Sequence, residues 1–286
     1  MGPVSRHARA ALLLGAAALT ASCAELDAWL TVPQKPLLAA SLEKPKAILF
    51  FEQDGAMTPF LCGADGELAR DKTCAGRVPV GARLEATSGE RLLVEKEAYR
   101  DCGAGESIEV SPKPPLRAAG VWSADGKAKL ELPRGPSALS NGEWQRLAPK
   151  LKVKATEDLG SEPDAVDVVG WVAGELDGVP GQDLLLAVEA TPRGGATADA
   201  YRAVLIEAGT GERPMLPVAL EMKKKEQPLE LVAAVDLDGD DVLEVVTGGG
   251  VWNVSKAIGG KPKDIAAWYC YRPAPAAPEA SAALRP

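Results

Sequence analysis

Short apolar runs separated by turn residues dominate the chain from residue 47 onward. Between residues 47 and 135 these runs are rich in Val, Ile, Leu and Phe and alternate with Asp-Gly and Ser-Gly pairs. Short strands at this spacing are typical of an antiparallel all-β region, and such Gly pairs suit tight turns that need positive φ. The pattern predicts strands at Ala47–Phe51, Arg83–Ala86, Arg91–Val94, Ser107–Val110, Gly120–Trp122 and Lys129–Leu132.

One segment has helical spacing instead. Trp144 and Leu147 lie about one helical turn apart, and Ser140 or Asn141 can cap the turn that precedes them. We expect Pro149 to limit the length of this helix, because proline interrupts the backbone hydrogen bonds of a helix interior. Residues 136–160 are therefore predicted to be a connector with one short helix.

The first residues have the features of an export signal. Arg6 and Arg9 precede an uncharged stretch over residues 10–22, which is too short to span a bilayer. The stretch ends at Cys23 and resembles a bacterial lipoprotein signal, in which that cysteine becomes the lipidated N-terminus. The alternative is ordinary secretory cleavage after Ala24.

Lipidation at Cys23 implies a protein anchored to a membrane of the bacterial cell envelope, in the periplasm or on the cell surface. Residues 1–22 are then the signal peptide, and residues 23–46, which contain three prolines, a tether. The Pro/Ala-rich residues 273–286 are predicted to be a disordered tail.

Charge and composition exclude several classes of function. The formal net charge is −8, so the chain lacks the basic surface of a nucleic-acid-binding protein. The only histidine is His7, which lies in the signal segment. The mature chain therefore has no imidazole for a Ser-His-Asp or Cys-His site, or for a His-ligated metal.

Four further cysteines remain after Cys23. An even number in an exported chain predicts two disulfides, and four cysteines allow three pairings. Cys62 and Cys74 flank a short polar stretch, which favours a local bond between them and leaves Cys102 to pair with Cys270.

The densest group of acidic residues lies between two apolar runs, over residues 233–246. Asp236, Asp238, Asp240 and Glu244 occupy positions one, three, five and nine of the loop, and this spacing places oxygens around one point, as Ca²⁺ requires. The sequence offers no charge pair or helix nearby to offset their repulsion. An EF-hand is excluded, because Thr247 stands where that motif needs a bidentate acid.

A second copy of this loop lies 61 residues earlier. Glu175, Asp177 and Asp183 correspond to Asp236, Asp238 and Glu244, and the downstream segments 203–206 and 264–267 fall at the same offset. Val179 replaces Asp240 and supplies no side-chain oxygen. We therefore expect this copy to bind Ca²⁺ weakly or not at all.

The two loops resemble the FG-GAP or VCBS repeat, commonly D-x-D-G-D-G-x-x-[DE] followed by an apolar strand. Asp241 stands in place of the second glycine. The resemblance implies antiparallel β-propeller-like blades, here two repeats over residues 161–272 in an incomplete or degenerate propeller. It also implies that the four acids of the later loop hold calcium, with the carbonyl of Val242 as a fifth ligand.

These features predict an exported, membrane-anchored, non-catalytic lipoprotein with a calcium-binding loop that acts as a binding module for a protein or glycan partner. The alternative is a carboxylate-type glycoside hydrolase or a glycan-binding protein. Acids clustered in one loop do not form the opposed, separately tuned pair that glycoside hydrolysis needs.

Overall fold

The computed structural model describes residues 38–39, 42–70, 74–100, 105–194, 199–209, 214–223, 227–249, 251–258 and 261–268. The predictions for the signal peptide, Cys23, Cys102, Cys270 and the tail lie outside the described residues, as does the tether up to residue 37. Among the residues that are described, no helix is both long and apolar enough to cross a membrane. The described fold is mostly antiparallel β-structure with one α-helix, which confirms the all-β class.

A closed barrel forms the N-terminal part of the described chain. Its strands are β1 (Ala47–Gln53), β2 (Ala56–Ala64), β3 (Glu67–Ala69), β4 (Arg83–Ala86), β5 (Arg91–Arg100), β6 (Gly105–Ser111) and β7 (Ala119–Ser123). Six of them close in the order β1-β7-β4-β5-β6-β2, because β2 pairs back with β1. The strand β3 pairs with the end of β2, along the edge that also pairs with β6. Ile48 and Phe50 fill the interior, while Leu49 and Phe51 belong to a separate outer core.

Two strand assignments differ from the sequence prediction. The strand β2 was not predicted, because all nine of its residues are buried and its sequence therefore lacks an alternation of apolar and polar positions. The predicted strand Lys129–Leu132 is wrong. Glu131 forms a single bridge to Ala234, and Arg134 forms another to Trp171, so the segment connects the edges of two other sheets instead of joining the barrel.

Those two sheets form the C-terminal part of the described chain. The first sheet contains β8 (Ala165–Gly174), β9 (Asp183–Thr191), β10 (Asp199–Glu207) and β11 (Leu216–Lys223). The second sheet contains β12 (Glu230–Val235), β13 (Glu244–Gly248), β14 (Trp252–Ala257) and β15 (Pro262–Trp268). Each is a four-stranded antiparallel meander in which neighbours in the chain are neighbours in the sheet.

The offset of 61 residues fails beyond the second strand of each sheet. It aligns β10, the third strand of the first sheet, with β15, which is the fourth strand of the second sheet. The true counterpart of β10 is β14, since Leu184 pairs with Glu207 and the equivalent Val245 pairs with Ser255. The difference arises because β13 and β14 are shorter than β9 and β10 and are joined by a shorter loop.

The elements stack in four layers, because successive residues of each strand face opposite sides. Leu205 packs towards the helix α1 (Asn141–Leu159), whereas Val204 and Ile206 pack against the second sheet. The opposite face of the second sheet packs on the outside of the barrel, where Phe51 stacks on Trp252 with ring centroids 4.3 Å apart. The order is therefore helix, first sheet, second sheet, barrel.

The helix is longer than the sequence predicts. It begins after Ser140, whose side chain forms a capping box with Glu143, and it continues through Pro149 to Leu159. The expectation that Pro149 limits its length is wrong. Proline has no N–H to donate to the carbonyl of Gln145, four residues earlier. Both residues are exposed, so water can donate to that carbonyl instead. Its buried face continues on both sides of the proline.

The predicted bond between Cys62 and Cys74 is confirmed, with Cα atoms 6.5 Å apart. It ties β2 to the short 3-10 helix Cys74–Arg77. The folded body also starts earlier than the predicted boundary at residue 47. Leu42 is buried in the barrel core, and the N–H of Ala39 donates to the carbonyl of Leu68 at 2.7 Å. The end of the predicted tether is therefore packed on the barrel.

Candidate cation site

The two acidic loops occupy equivalent places in the two sheets. The first acidic loop (residues 175–182) joins β8 to β9, and the second acidic loop (residues 236–243) joins β12 to β13. Both lie at the same end of the stacked sheets, since the N–H of Leu243 donates to the carbonyl of Glu175 at 2.9 Å. The hairpin between β2 and β3 contacts the second loop, because the N–H of Gly66 donates to the carbonyl of Asp238 at 2.8 Å.

The loops share their internal hydrogen bonds. In the first loop, the N–H of Leu176 donates to Asp183 Oδ2 at 2.9 Å, and in the second, the N–H of Leu237 donates to Glu244 Oε2 at 2.7 Å. Both leucines are buried and anchor the loops in the cores. Gly178 and Gly239 have positive φ values of 75° and 79°. The loops therefore have related backbone shapes, as the internal repeat predicts.

Asp241 adopts the left-handed conformation that the motif usually assigns to glycine, with φ of 68°. Asp236 stabilises the turn here, accepting hydrogen bonds from the N–H groups of Gly239 at 2.8 Å and Asp241 at 3.1 Å. Aspartate tolerates this conformation better than most residues do. Its presence at this position is therefore compatible with the loop.

The carboxylates of the second loop surround the ammonium of Lys256, which reaches in from β14. Its Nζ lies 2.7 Å from Asp238 Oδ2, 2.9 Å from Asp240 Oδ2 and 2.7 Å from Glu244 Oε1. The lysine side chain is 11% exposed, and the side chain of Glu244 is fully buried. A positive charge therefore already lies at the point on which these acids converge.

Burial and charge act in opposite directions on these groups. Burial raises the pKa of Glu244 to about 8, although the nearby ammonium of Lys256 favours its ionised form. Burial also raises the pKa of Asp238. For Lys256, burial alone would lower the pKa, but the charge of Glu244 and the hydrogen bonds with the acids outweigh it, so the pKa lies above its ordinary value. The lysine is charged throughout the physiological pH range.

The sequence-based argument that no charge pair is available to this loop is wrong. Lys256 supplies one, and it was missed because it lies in a different strand. No local motif marks it, and only the register of β13 against β14, with Val245 opposite Ser255, places Lys256 next to Glu244. The proposed fifth ligand, the carbonyl of Val242, stays a prediction. The N–H of Val242 donates to Asp240 Oδ1 at 3.0 Å.

The first loop also brings its acids together, with no lysine at the strand position that corresponds to Lys256. Oxygens of Glu175, Asp177 and Asp183 lie within 4.8 Å of one another. Asp183 accepts from three backbone N–H groups, those of Leu176, Asp177 and Gly209. By the register of β9 and β10, the residue that corresponds to Lys256 is Ala208, which carries no charge.

The two donor sets differ in how well they fit a calcium ion. In the first loop, Glu175 Oε1 is buried and has no hydrogen-bond partner among the described residues, and it belongs to a group of three carboxylates. Such hard oxygen donors suit Ca²⁺, with water completing the shell. In the second loop the ammonium of Lys256 takes the central position, so this arrangement does not fit an additional ion at that point. Oxygens of Asp236, Asp238 and Glu244 also lie within 4.8 Å of one another, so both loops bring three carboxylates together, and the second does so around an ammonium.

Comparisons of the chain with protein-family models, with curated proteins and with solved structures return no match. The resemblance to the FG-GAP or VCBS repeat therefore stays a prediction that rests on the residues of the two loops.

Proposed function

We propose that the chain is an exported, membrane-anchored, non-catalytic binding protein whose first acidic loop holds a structural calcium ion. The observation that carries this proposal is the convergence of Glu175, Asp177 and Asp183, whose oxygens lie within 4.8 Å of one another. Asp177 and Asp183 are buried, so water screens their mutual repulsion poorly. A divalent cation bound between the three groups removes that repulsion.

The second loop supports this proposal as an internal reference. Asp238 and Glu244, which correspond to Asp177 and Asp183, lie on either side of the Lys256 ammonium at 2.7 Å each. The repeated loop is thus an arrangement that accommodates a positive charge. In the first sheet Ala208 provides no charge, and a free ion takes that role.

The ion would act as a tie between neighbouring segments of the first sheet. Glu175 follows β8, Asp183 begins β9, and Asp183 also accepts a hydrogen bond from Gly209, just beyond β10. Holding these acids together fixes the end of three strands at once. Because the bound ion requires the folded loop, its binding energy appears as stability of the folded protein.

We further propose that the two sheets are propeller-type blades, in keeping with the FG-GAP or VCBS resemblance. They are four-stranded meanders packed face to face, and their acidic loops lie between equivalent strands. A closed propeller typically needs four to eight blades. Here the barrel and the helix α1 cover the outer faces of the pair, in place of further blades.

The partner is proposed to be a protein or a glycan at the cell envelope, with the membrane reached through lipid on Cys23. The geometry of the acids does not favour the alternative of a glycoside hydrolase. That chemistry uses two opposed carboxyl groups about 5 to 9.5 Å apart, with room for a sugar between them. The acids here are tied to loop N–H groups or to Lys256.

Calcium is expected to stabilise the protein through the first loop. At a calcium concentration about 100 times Kd, we expect the melting temperature to rise by roughly 5–10 °C over that in chelator. Asp177→Asn should abolish this rise, because it removes one of the three charges. Asp238→Asn is the matched control, since it makes the same change at the equivalent position of the second loop.

Differential scanning calorimetry of the three proteins, each with calcium and with chelator, measures the effect. The proposal predicts a rise for the parent and for Asp238→Asn, and none for Asp177→Asn. Equal melting temperatures of the parent in calcium and in chelator would contradict it, as would a rise that survives in Asp177→Asn.

The proposed anchor is tested separately. Cys23→Ala is expected to move the protein from the membrane fraction to the soluble fraction of the cell envelope, because it removes the site of lipidation. Immunoblots of fractionated cells that express the parent or Cys23→Ala provide the measurement. If Cys23→Ala stays with the membranes as the parent does, the anchor lies elsewhere.

A further inference from the structure

The second acidic loop has an unusual cation in its centre, one that is part of the chain. Asp238, Asp240 and Glu244 all lie within 2.9 Å of Lys256 Nζ, and the lysine side chain is largely buried. Surface lysines that pair with acids keep most of their hydration, but this one has exchanged water for carboxylates. Its ammonium lies at the point where the three carboxylates converge.

We propose that Lys256 is a covalently tethered replacement for a divalent cation, and that it makes the second acidic loop independent of metal. The inference does not depend on calcium binding at the first loop. It concerns a latent site for a hard divalent cation such as Ca²⁺, which becomes available once the ammonium is removed. Its ligands are the acids that contact Lys256, namely Asp238, Asp240 and Glu244, together with Asp236, whose carboxylate lies within 4.8 Å of those of Asp238 and Glu244.

The number of carboxyl groups supports this replacement. Five carboxyl groups lie in the loop or at its end, at Asp236, Asp238, Asp240, Asp241 and Glu244, against one ammonium. Asp238 is 4% exposed, and its Oδ1 has no hydrogen-bond partner within the described part of the chain. A single positive charge therefore leaves a buried oxygen unsatisfied, which a divalent ion with a larger coordination shell would use.

The comparison with the first sheet provides a second, independent line of argument. The loops share their leucine anchor, their glycine turn and the N–H bond to the last acid. At the position next to that last acid, one sheet has Lys256 and the other has Ala208. The structure thus pairs the lysine with the loop that has five acids and the alanine with the loop that has three.

The second loop lies at a junction between the barrel and the first loop, which the tethered ammonium stabilises. The loop is enclosed by the barrel, through the bond between Gly66 and the carbonyl of Asp238, and by the first loop, through the bond between Leu243 and the carbonyl of Glu175. A tethered cation keeps this junction assembled at any calcium concentration. Exchangeable metal would then be confined to the first loop.

Lys256→Met tests the inference, because methionine keeps the length of the side chain and removes its charge. The experiment uses the Asp177→Asn background, so that calcium at the first loop does not contribute. Isothermal titration with CaCl₂ is expected to show no binding to Asp177→Asn alone and one ion per chain for Asp177→Asn/Lys256→Met. Adding Asp238→Asn should abolish that binding, and Lys256→Arg in place of Lys256→Met should not create it.

Stability in chelator gives a second readout that does not require the variant to bind metal. Without its cation, Lys256→Met should melt roughly 10 °C below the parent, because a buried charge cluster has lost its partner. Adding Asp238→Asn should recover part of the lost melting temperature in chelator. Replacing the chelator by calcium should also recover part of it for Lys256→Met. If Lys256→Met is unfolded in chelator, recovery of its circular dichroism spectrum in calcium supports the inference, and failure to recover overturns it.

Two further results would also overturn the proposal. One is a Lys256→Met protein that melts at the parent temperature in chelator, since the ammonium would then stabilise nothing. The other is calcium binding at the second loop while Lys256 is present, seen as a heat signal in Asp177→Asn that Asp238→Asn removes. Loss of calcium binding at the first loop alone would affect only the proposed function and not this inference.

Discussion

Gly63→Ala is expected to lower the free energy of unfolding by about 3 kcal/mol, at the upper end of the usual cost of overpacking. Gly63 lies in β2 of the barrel, where a Cβ atom would come 2.0 Å from the carbonyl oxygen of Leu237 and 2.4 Å from its carbonyl carbon. Both are backbone atoms of the second acidic loop, so neither can move aside by a change of rotamer. The barrel and the loop would have to separate.

Urea denaturation of Gly63→Ala beside the control Gly135→Ala measures this loss. Gly135 has φ of −67°, and a Cβ atom there would have no other atom within 4 Å, so the same substitution should change stability by less than about 0.5 kcal/mol. If Gly63→Ala is as stable as Gly135→Ala, the barrel and the second loop are not in the close contact described above.

Asp183→Ala is expected to cost about 3 kcal/mol or more even in the absence of calcium. Asp183 is 1% exposed and accepts from the N–H groups of Leu176 at 2.9 Å, Asp177 at 3.1 Å and Gly209 at 2.8 Å. Each donor left unsatisfied in a buried site costs about 1–3 kcal/mol, and entry of water into the relaxed loop offsets part of the sum. The acid is thus a structural part of the loop, whether or not metal is bound.

Asp183→Asn separates this structural role from that of charge. Its amide oxygen still accepts hydrogen bonds, so in chelator it should lose less than half as much stability as Asp183→Ala. Both variants should lose the stabilisation by calcium. A finding that Asp183→Ala melts with the parent in chelator, and differs from it only in calcium, would show that the carboxylate has no structural role of its own.

The fold was predictable from the sequence where the residue pattern is local. The strands β1 and β4 to β7 follow from apolar runs between turn residues, and the start of α1 follows from Ser140. Closure of the barrel was not predictable, because it depends on the pairing of β1 with β2. All residues of β2 are buried, so its sequence lacks the alternation of apolar and polar residues that marks a strand. The full length of α1 depends on the exposure of Pro149, a tertiary property.

The candidate site was likewise predictable only where its features depend on local sequence. Both acidic loops, their correspondence and the turn at Asp241 follow from spacing within the sequence. The residue that distinguishes the loops does not, since Lys256 lies 12 residues beyond Glu244 and meets it only through strand pairing. Sequence spacing therefore identified carboxylates that the two loops bring together, whereas the contrast between the loops depends on Lys256, a residue from another strand.

The position of a bound ion in a crystal tests the central claim most directly. Crystals of the parent protein grown with calcium and measured for anomalous scattering should contain one peak among Glu175, Asp177 and Asp183, with oxygens about 2.3–2.6 Å from the ion. Lys256 Nζ should remain between Asp238 and Glu244. A peak in the second loop with Lys256 displaced, or no peak in the first loop, would contradict the account.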